Sequence, residues 1–131
     1  MDHATLRART AEFARRVARF TKPLFRSPET YDVARQLRRG ANGIASNYRA
    51  AGLSRSHAEF TARMGTVLEE TDEVVHWLVH LQATEEAFDP ALLAEAQELL
   101  KIFTSSYATA CRNERAGGIP RDMRGRRRRR A

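Results

Sequence analysis

The stretch from Ser46 to Leu81 constrains the fold most, because it joins the end of one helix to a long amphipathic one. Ser56 and Glu59 have the spacing of a capping box, in which each side chain satisfies the other's backbone amide. Core-forming residues then recur at intervals of three and four, the period of a helix with one buried face. They are Phe60, Met64, Val67, Thr71, Val74, Leu78 and Leu81.

Three further segments show the same helical period. The first runs from Leu6 to Leu24, and the second opens at Ser27-Pro28, an N-cap serine before a proline. The fourth opens at Asp89-Pro90 and is predicted to end at Gly117-Gly118. Strand periodicity is absent and the links are short, so neighbouring helices should run antiparallel. The sequence therefore predicts an all-α, up-down-up-down four-helix bundle.

Charge divides the chain into a bundle and a tail. Up to Cys111, 14 Lys or Arg balance 14 Asp or Glu, so the net charge of +7 comes from the residues after Cys111. We predict one domain over residues 1–115, and a flexible, disordered Arg-rich tail over residues 116–131. Within the bundle, residues 1–63 hold 13 basic and 5 acidic side chains, whereas residues 64–111 hold Lys101 against nine acids. Three arrangements are open for these opposite charges. The basic and acidic side chains pair within the bundle, they pair between subunits, or the basic half presents a face to a polyanion.

The sequence lacks the features of a secreted or membrane-spanning protein. The lone Cys111 excludes an internal disulfide bond. No apolar run approaches the ~20 residues that cross a bilayer, and the first residues lack the apolar stretch of a signal peptide. We expect a cytoplasmic protein that does not bind membranes.

The second helix carries an unusual number of small residues. Glycine inside a helix costs about 1 kcal/mol relative to alanine, so close approach of another surface is expected here. That surface is either a neighbouring helix of the bundle, or a second subunit or nucleic-acid backbone. The residues are Gly40, Ala41, Gly43, Ala45, Ser46, Ala50, Ala51 and Gly52.

Several spaced motifs resemble a known bacterial family. They are Gln36-Leu37-Arg38-Arg39, Gly43-Ile44, Asn47-Tyr48-Arg49-Ala50-Ala51, Arg55-Ser56, Glu59-Phe60, Glu69-Glu70, Asp72-Glu73 and Trp77-Leu78. The pattern resembles the four-helix-bundle proteins akin to those encoded in intervening sequences of 23S ribosomal RNA genes, over roughly Phe13 to Tyr107. The commoner branch of that family has Glu-Gly where this chain has Ala50-Ala51, so the chain resembles the Asn-Tyr-Arg-Ala-Ala branch.

The resemblance implies a ring-forming bundle, with a pentamer as the expected assembly. It also implies a distant likeness to the accessory variability determinants of diversity-generating retroelements, which are pentameric basic barrels that bind nucleic acid and a reverse transcriptase. Most members of the family have no assigned function. What the resemblance implies about activity is therefore less specific than what it implies about fold.

Motifs for catalysis or metal binding are incomplete. Glu73 and His76 form a single Glu-x-x-His element, whereas a di-iron bundle needs two such elements and two further glutamates. His76 and His80 are four apart on one helical face, but no glutamate stands between them as in a metalloprotease helix. We favour a solvated helix face, and we expect no enzyme activity, no cofactor and no metal site.

The third helix carries a dense acidic cluster, Glu69, Glu70, Asp72 and Glu73. Acids this close repel one another unless they are paired. The expected partners lie on the second helix of the same chain or of a neighbour, and they are Arg35, Arg38, Arg39 and Arg49. Tyr48 and Trp77 either cover the core or anchor a subunit interface, where large aromatic residues are enriched.

The tail contains five consecutive arginines, and three interpretations remain open: a solubilising tail, nucleic-acid contact or attraction to a membrane surface. Our first hypothesis is a non-enzymatic homo-oligomer that binds RNA or DNA phosphates without reading bases. The contact residues would be Arg35, Arg38, Arg39, Arg49, Arg126, Arg127, Arg128, Arg129 and Arg130. The alternative is a protein-interaction scaffold that recruits a partner enzyme such as a reverse transcriptase.

Overall fold

The computed structural model describes residues 1–117, which form four α-helices joined by short links. A 3₁₀ helix, Lys22–Arg26, lies between the first two. The predicted disordered tail from residue 118 onward, with its arginines, lies outside the described residues, whereas Ala116 and Gly117 belong to the last α-helix. The α-helices are α1 His3–Thr21, α2 Pro28–Ala51, α3 His57–Ala83 and α4 Pro90–Gly117.

The helices pack as an antiparallel bundle in chain order, which confirms the predicted fold class. α2 packs against both α1 and α3, and α3 packs against α4. The α1–α4 contact is the smallest of the helix pairs. Because neighbours are antiparallel, the start of α1, the α2–α3 connection and the end of α4 share one end of the bundle.

One helix boundary differs from the sequence prediction. α1 ends at Thr21, although the apolar period continues to Leu24. Pro23 comes almost at once and lacks the amide that an α-helical hydrogen bond would need. The chain continues as the 3₁₀ helix, which still buries Leu24 in the core. At the other end of the chain, the described part of α4 reaches Gly117, the first residue of the predicted Gly117-Gly118 helix end.

The predicted caps are partly confirmed. Ser56 Oγ accepts the Glu59 amide at 3.0 Å, but the Glu59 carboxylate accepts the amide of Arg55, at 3.0 Å, rather than that of Ser56. Asp89 Oδ1 accepts the Leu92 amide at 3.0 Å, as expected of a cap for α4. Ser27 occupies the N-cap position of α2, yet its hydroxyl donates to the Glu29 carboxylate and caps no amide.

The core is apolar, and its buried threonine hydroxyls are all hydrogen-bonded. Thr10, Thr21 and Thr71 are buried, and each hydroxyl donates to the carbonyl oxygen four residues earlier. Hydroxyls bonded in this way avoid the cost of an unsatisfied buried group. The largest fully buried side chains are Phe13, Phe103, Leu37, Ile44, Met64, Leu81, Leu92 and Leu99.

Two glycines allow α2 to lie close to α3. A Cβ atom on Gly40 would lie 2.7 Å from Val74 Cγ2, and one on Gly43 would overlap the Glu70 carboxylate. Packing within the bundle therefore accounts for both glycines. None of the helices within residues 1–117 is long and apolar enough to cross a bilayer.

Candidate functional site

Arg38 is engaged inside the bundle. Its Nε donates to Thr21 Oγ1 and its Nη2 to the Ala18 carbonyl oxygen, both at 2.9 Å. The guanidinium carbon also lies 4.8 Å from the centre of the Phe25 ring, within the range of a cation–π contact. Arg38 thus ties α2 to the end of α1, which gives it a structural role.

The other predicted α2 arginines lie on the outer surface of the helix. Arg35 lies 3.2 Å from Asp32, one turn earlier, and an exposed pair of this kind contributes little stability. Arg39 and Arg49 take part in none of the salt bridges formed among residues 1–117. These two predicted α2 arginines are therefore exposed and form no ion pair within the described part of the chain.

The acidic cluster of α3 does not pair with α2 arginines within the described part of the chain. Asp72 and Glu73 are exposed. Glu70 lies in the notch at Gly43, where its carboxylate accepts a 3.0 Å hydrogen bond from Asn47 Nδ2. The predicted ion-pair network is thus absent within one described chain, and pairing between subunits stays a prediction.

Burial raises the pKa of the Glu70 carboxyl group. The hydrogen bond from Asn47 opposes this change, Glu73 reinforces it, and Arg39 opposes it. Glu70 and Arg39 also line a groove of about 310 Å³ between α2 and α3, which Gly40 and Gly43 leave open. This groove presents charges of both signs and does not by itself favour an anion.

Tyr48 belongs to the core. It stacks on His3, with the ring centres 4.6 Å apart, and lies 5.4 Å from the Phe103 ring. Burial raises the pKa of the Tyr48 hydroxyl. Its position supports the core-covering interpretation, although a contact with a second subunit stays a prediction.

Trp77 is half-buried against the core, with two histidines beside it on α3. The indole meets His76 and His80 edge-on, with ring centres 4.8 and 5.6 Å apart. Its buried Nε1 has no hydrogen-bond partner among the described residues. Within residues 1–117, no group of three or more His, Cys, Asp or Glu side chains is placed to hold a metal ion.

A second cavity, of about 540 Å³, lies at the end of the bundle where α2 connects to α3. Sequence reasoning missed it, because His3 and His57 are far apart in the chain and line the same cavity only once the bundle has formed. His57 Nε2 lies 3.0 Å from the Ala110 carbonyl oxygen, which can only accept, so Nε2 carries the proton. The cavity is lined by His3, Ala51, Gly52, Ser54, Arg55, Ser56, His57 and Phe60.

The fold converts the charge asymmetry of the sequence into two opposed sides. Residues 1–56, which include α1 and α2, carry 12 Lys or Arg and 4 Asp or Glu. Residues 57–117, which include α3 and α4, carry 4 Lys or Arg and 11 Asp or Glu. One side of the bundle is thus strongly basic and the other strongly acidic.

No protein-family model and no curated protein matches the chain. Among solved structures, the chain is similar to a protein of unknown function from the S23 ribosomal protein family of Bacteroides thetaiotaomicron. The two share 24% sequence identity with a TM-score of 0.75, over 82% of this chain and 99% of the other. At this identity the likeness establishes a shared fold.

Proposed function

We propose that the protein is a non-enzymatic, cytoplasmic homo-oligomer that binds nucleic acid through phosphates, without reading base sequence. The observation that carries this proposal is the basic side formed by α1 and α2. Its exposed arginines have few carboxylates to pair with, and counterion release from a phosphate backbone would drive binding. The strongest contributors are Arg39, Arg49 and the arginine run Arg126–Arg130.

Kinship with the proteins of 23S ribosomal RNA intervening sequences, in the Asn-Tyr-Arg-Ala-Ala branch, belongs to the same proposal. The shared fold with a member of the S23 ribosomal protein family supports it, as do the spaced motifs from Gln36 to Leu78. The family's ring assembly then makes a pentamer the expected state.

The charge distribution suits such a ring. A head-to-tail interface joins two different surfaces of the same protein, and it closes into a ring when the rotation allows. The basic α1–α2 side of one copy would face the acidic cluster of α3 on the next. This arrangement gives Glu69, Asp72 and Glu73 the partners that they lack within one described chain.

Light-scattering mass measured during size exclusion tests the proposal. The full chain and a chain ending at Gly118 are each run alone and with mixed RNA. We expect a multi-subunit particle in both cases, with RNA uptake strongest for the full chain. A monomer would contradict the assembly, and a multi-subunit particle that ignores RNA and DNA at low salt would contradict nucleic-acid binding.

A scaffold that recruits a partner enzyme, such as a reverse transcriptase, is the second candidate. The specific observation that favours it is Trp77, whose indole is half-buried and whose Nε1 lacks a partner among the described residues. Aromatic anchors of this kind are common at protein interfaces. Purification of the Trp77→Ala variant beside the wild type tests it, since a specific partner should be lost only from the variant.

A further inference from the structure

We propose that the outer face of α2 binds the phosphates of a double-stranded nucleic acid. This face carries a row of exposed polar side chains, called here the α2 row: Arg35, Arg39, Asn42, Ser46 and Arg49. The inference rests on the proposed function and names the form of nucleic acid that the basic side takes. The rest of that side, chiefly α1, stays available for the acidic cluster of a neighbouring copy.

Helix geometry holds the α2 row straight. Its members are four, three, four and three residues apart, so they lie along one face of α2. At 1.5 Å per residue the row is about 21 Å long. The opposite face of the helix is buried, with Leu37, Ala41 and Ile44 in the core. Because α2 packs between α1 and α3, the spacing of the row is fixed before a ligand binds.

The α2 row is cationic along its whole length. No acidic residue occurs in the chain between residues 33 and 58. Arg39 and Arg49 take part in none of the salt bridges formed among residues 1–117, and Arg35 has only the exposed pair with Asp32. The row can therefore contact phosphates without first breaking a buried ion pair.

The acids nearest to the α2 row lie along one edge of it. Glu70 and Glu73 line the groove between α2 and α3 together with Arg39. The Glu70 carboxylate is already engaged by Asn47 Nδ2 at 3.0 Å. The other edge of the row borders α1, which has five arginines and one acid, Glu12. A polyanion is therefore attracted to the α1 edge of the row.

The outer face of α2 lacks the side chains that hold single strands. Proteins bind single strands by stacking successive bases on aromatic rings. Tyr31 is the one exposed aromatic side chain on α1 and α2, and it lies edge-on to Phe25, with ring centres 5.3 Å apart. One ring can stack one base. A single strand laid along the row would thus lose its conformational freedom and gain phosphate contacts alone.

A duplex meets the α2 row with its phosphates already ordered. It carries one charge per about 1.7 Å of axis, twice the density of a single strand at the same rise. Each phosphate contact contributes about 0.9 to the slope of log affinity against log salt for duplex DNA, but about 0.7 for a single strand. Asn42 and Ser46 add side chains of the kind that bond phosphate oxygens without reading bases. A rigid row therefore favours a rigid duplex.

Binding to matched duplexes and strands tests the inference. The full chain is titrated into a labelled DNA duplex, an RNA duplex and their separate strands, and fluorescence anisotropy is followed over a salt series. Each is about 20 nucleotides long, so that the duplex, at about 3.4 Å per base pair, is longer than the row. We expect each duplex to bind about tenfold more tightly than its strands, because contacts on a duplex release more counterions. The two duplexes show whether DNA or RNA supplies the phosphates.

A double variant, Arg39→Ala with Arg49→Ala, removes the two arginines of the α2 row that form no ion pair. Its matched control, Lys101→Ala with Arg112→Ala, removes two exposed positive charges from α4 on the acidic side. For duplex DNA, we expect the slope of log affinity against log salt to fall by about 1.8 in the row variant, which is two contacts at about 0.9 each. The slope of the control should stay near that of the wild type. Equal thermal unfolding and equal particle mass will verify that both variants fold and assemble.

The outcomes separate this inference from the proposed function. Nucleic-acid binding without a preference for duplexes, or with equal slopes for the row variant and its control, would overturn the α2 row and leave the proposed function standing. A preference for strands that is lost in Tyr31→Ala would overturn a duplex as the ligand. A smaller particle for the row variant alone would assign these arginines to a subunit contact and would also overturn the inference. Absence of binding to every duplex and strand at low salt would overturn the proposed function as well.

Discussion

At the scale of single residues, Gly40 allows α2 to lie close to α3. A Cβ atom there would lie 2.7 Å from Val74 Cγ2, and valine in a helix has one strongly preferred rotamer. At Gly43 the obstacle is instead the end of the Glu70 side chain, which can swing away. The two glycines therefore differ in how much they limit substitution.

Gly40→Ala should destabilise the protein by about 1–2 kcal/mol, since overpacking outweighs the gain of about 1 kcal/mol in helix propensity. Gly43→Ala should have a smaller effect, because it costs mainly the Asn47–Glu70 hydrogen bond. Urea unfolding followed by circular dichroism measures both. A Gly43→Ala variant less stable than Gly40→Ala would show that Glu70, rather than Val74, controls the helix spacing.

Glu70 predicts a pH dependence of stability. Its pKa is raised in the folded protein, chiefly by burial, so the folded state holds this proton more tightly than the unfolded chain does. Stability therefore falls as the pH rises from the unfolded pKa through the folded one, and the penalty is complete above the folded pKa. Because the carboxyl group is partly exposed, solvent screening keeps the penalty below about 1 kcal/mol.

Glu70→Gln should accordingly be slightly more stable than the wild type at pH 7, since glutamine can still accept from Asn47 without a charge. The gain should vanish at about pH 4, near the ordinary carboxyl pKa. Thermal melts across this range, with Glu69→Gln as the control, measure it. Equal gains for both variants would indicate general relief of repulsion in the acidic cluster.

At the scale of elements, α1 and α4 meet along the smallest of the helix contacts. Arg9 crosses this contact with two hydrogen bonds of 2.7 Å to the Glu95 carboxylate. The side chains are 26% and 18% exposed, so this pair is better shielded from solvent than the exposed Arg15–Glu12 pair. The Glu95 contact also raises the pKa of Arg9.

Arg9→Ala should therefore cost about 1.5–3 kcal/mol, the range for hydrogen bonds to charged groups. The exposed Arg15→Ala control should cost less than about 0.5 kcal/mol. Hydrogen exchange locates the effect, because α1 should open more often in Arg9→Ala while α2 and α3 keep their protection. Uniform loss of protection in all helices would show that the bundle opens as one unit.

The elements also show how far the sequence alone reaches. Apolar periods predicted four helices and most of the core, because one buried face per helix leaves a local mark on the sequence. The end of α1 was missed because the period runs on through Pro23. The cavity at the α2–α3 end of the bundle was missed for a different reason. His3, Ser54 and His57 share no local sequence pattern, and only the folded bundle places them around one cavity.

The arginines of α2 also show that the sequence alone does not reveal which side chains are engaged inside the bundle. From the sequence, Arg35, Arg38 and Arg39 were all predicted to be phosphate contacts on the second helix. The structure turns Arg38 inward to Thr21 and the Ala18 carbonyl group, and leaves Arg39 outside every salt bridge of the described chain. Which arginine is free depends on tertiary neighbours that no spacing in the second helix encodes.

At the scale of the whole molecule, the proposed function uses the basic side and the tail together. The basic side supplies a fixed surface, and in a ring of several copies the tails would act at high local concentration. Replacing each of the five arginines from Arg126 to Arg130 with serine keeps the chain length and removes that charge. The number of subunits in the particle should not change, because we assign the assembly to the helices.

RNA affinity of this serine variant should fall and should depend less on salt. Each single-strand phosphate that is neutralised contributes about 0.7 to the slope of log affinity against log salt, so losing five contacts lowers the slope by up to about 3.5. Affinities measured from low to moderate salt give both slopes. An unchanged slope would mean that the tail does not touch phosphates, and that the basic α1–α2 side carries all of the binding.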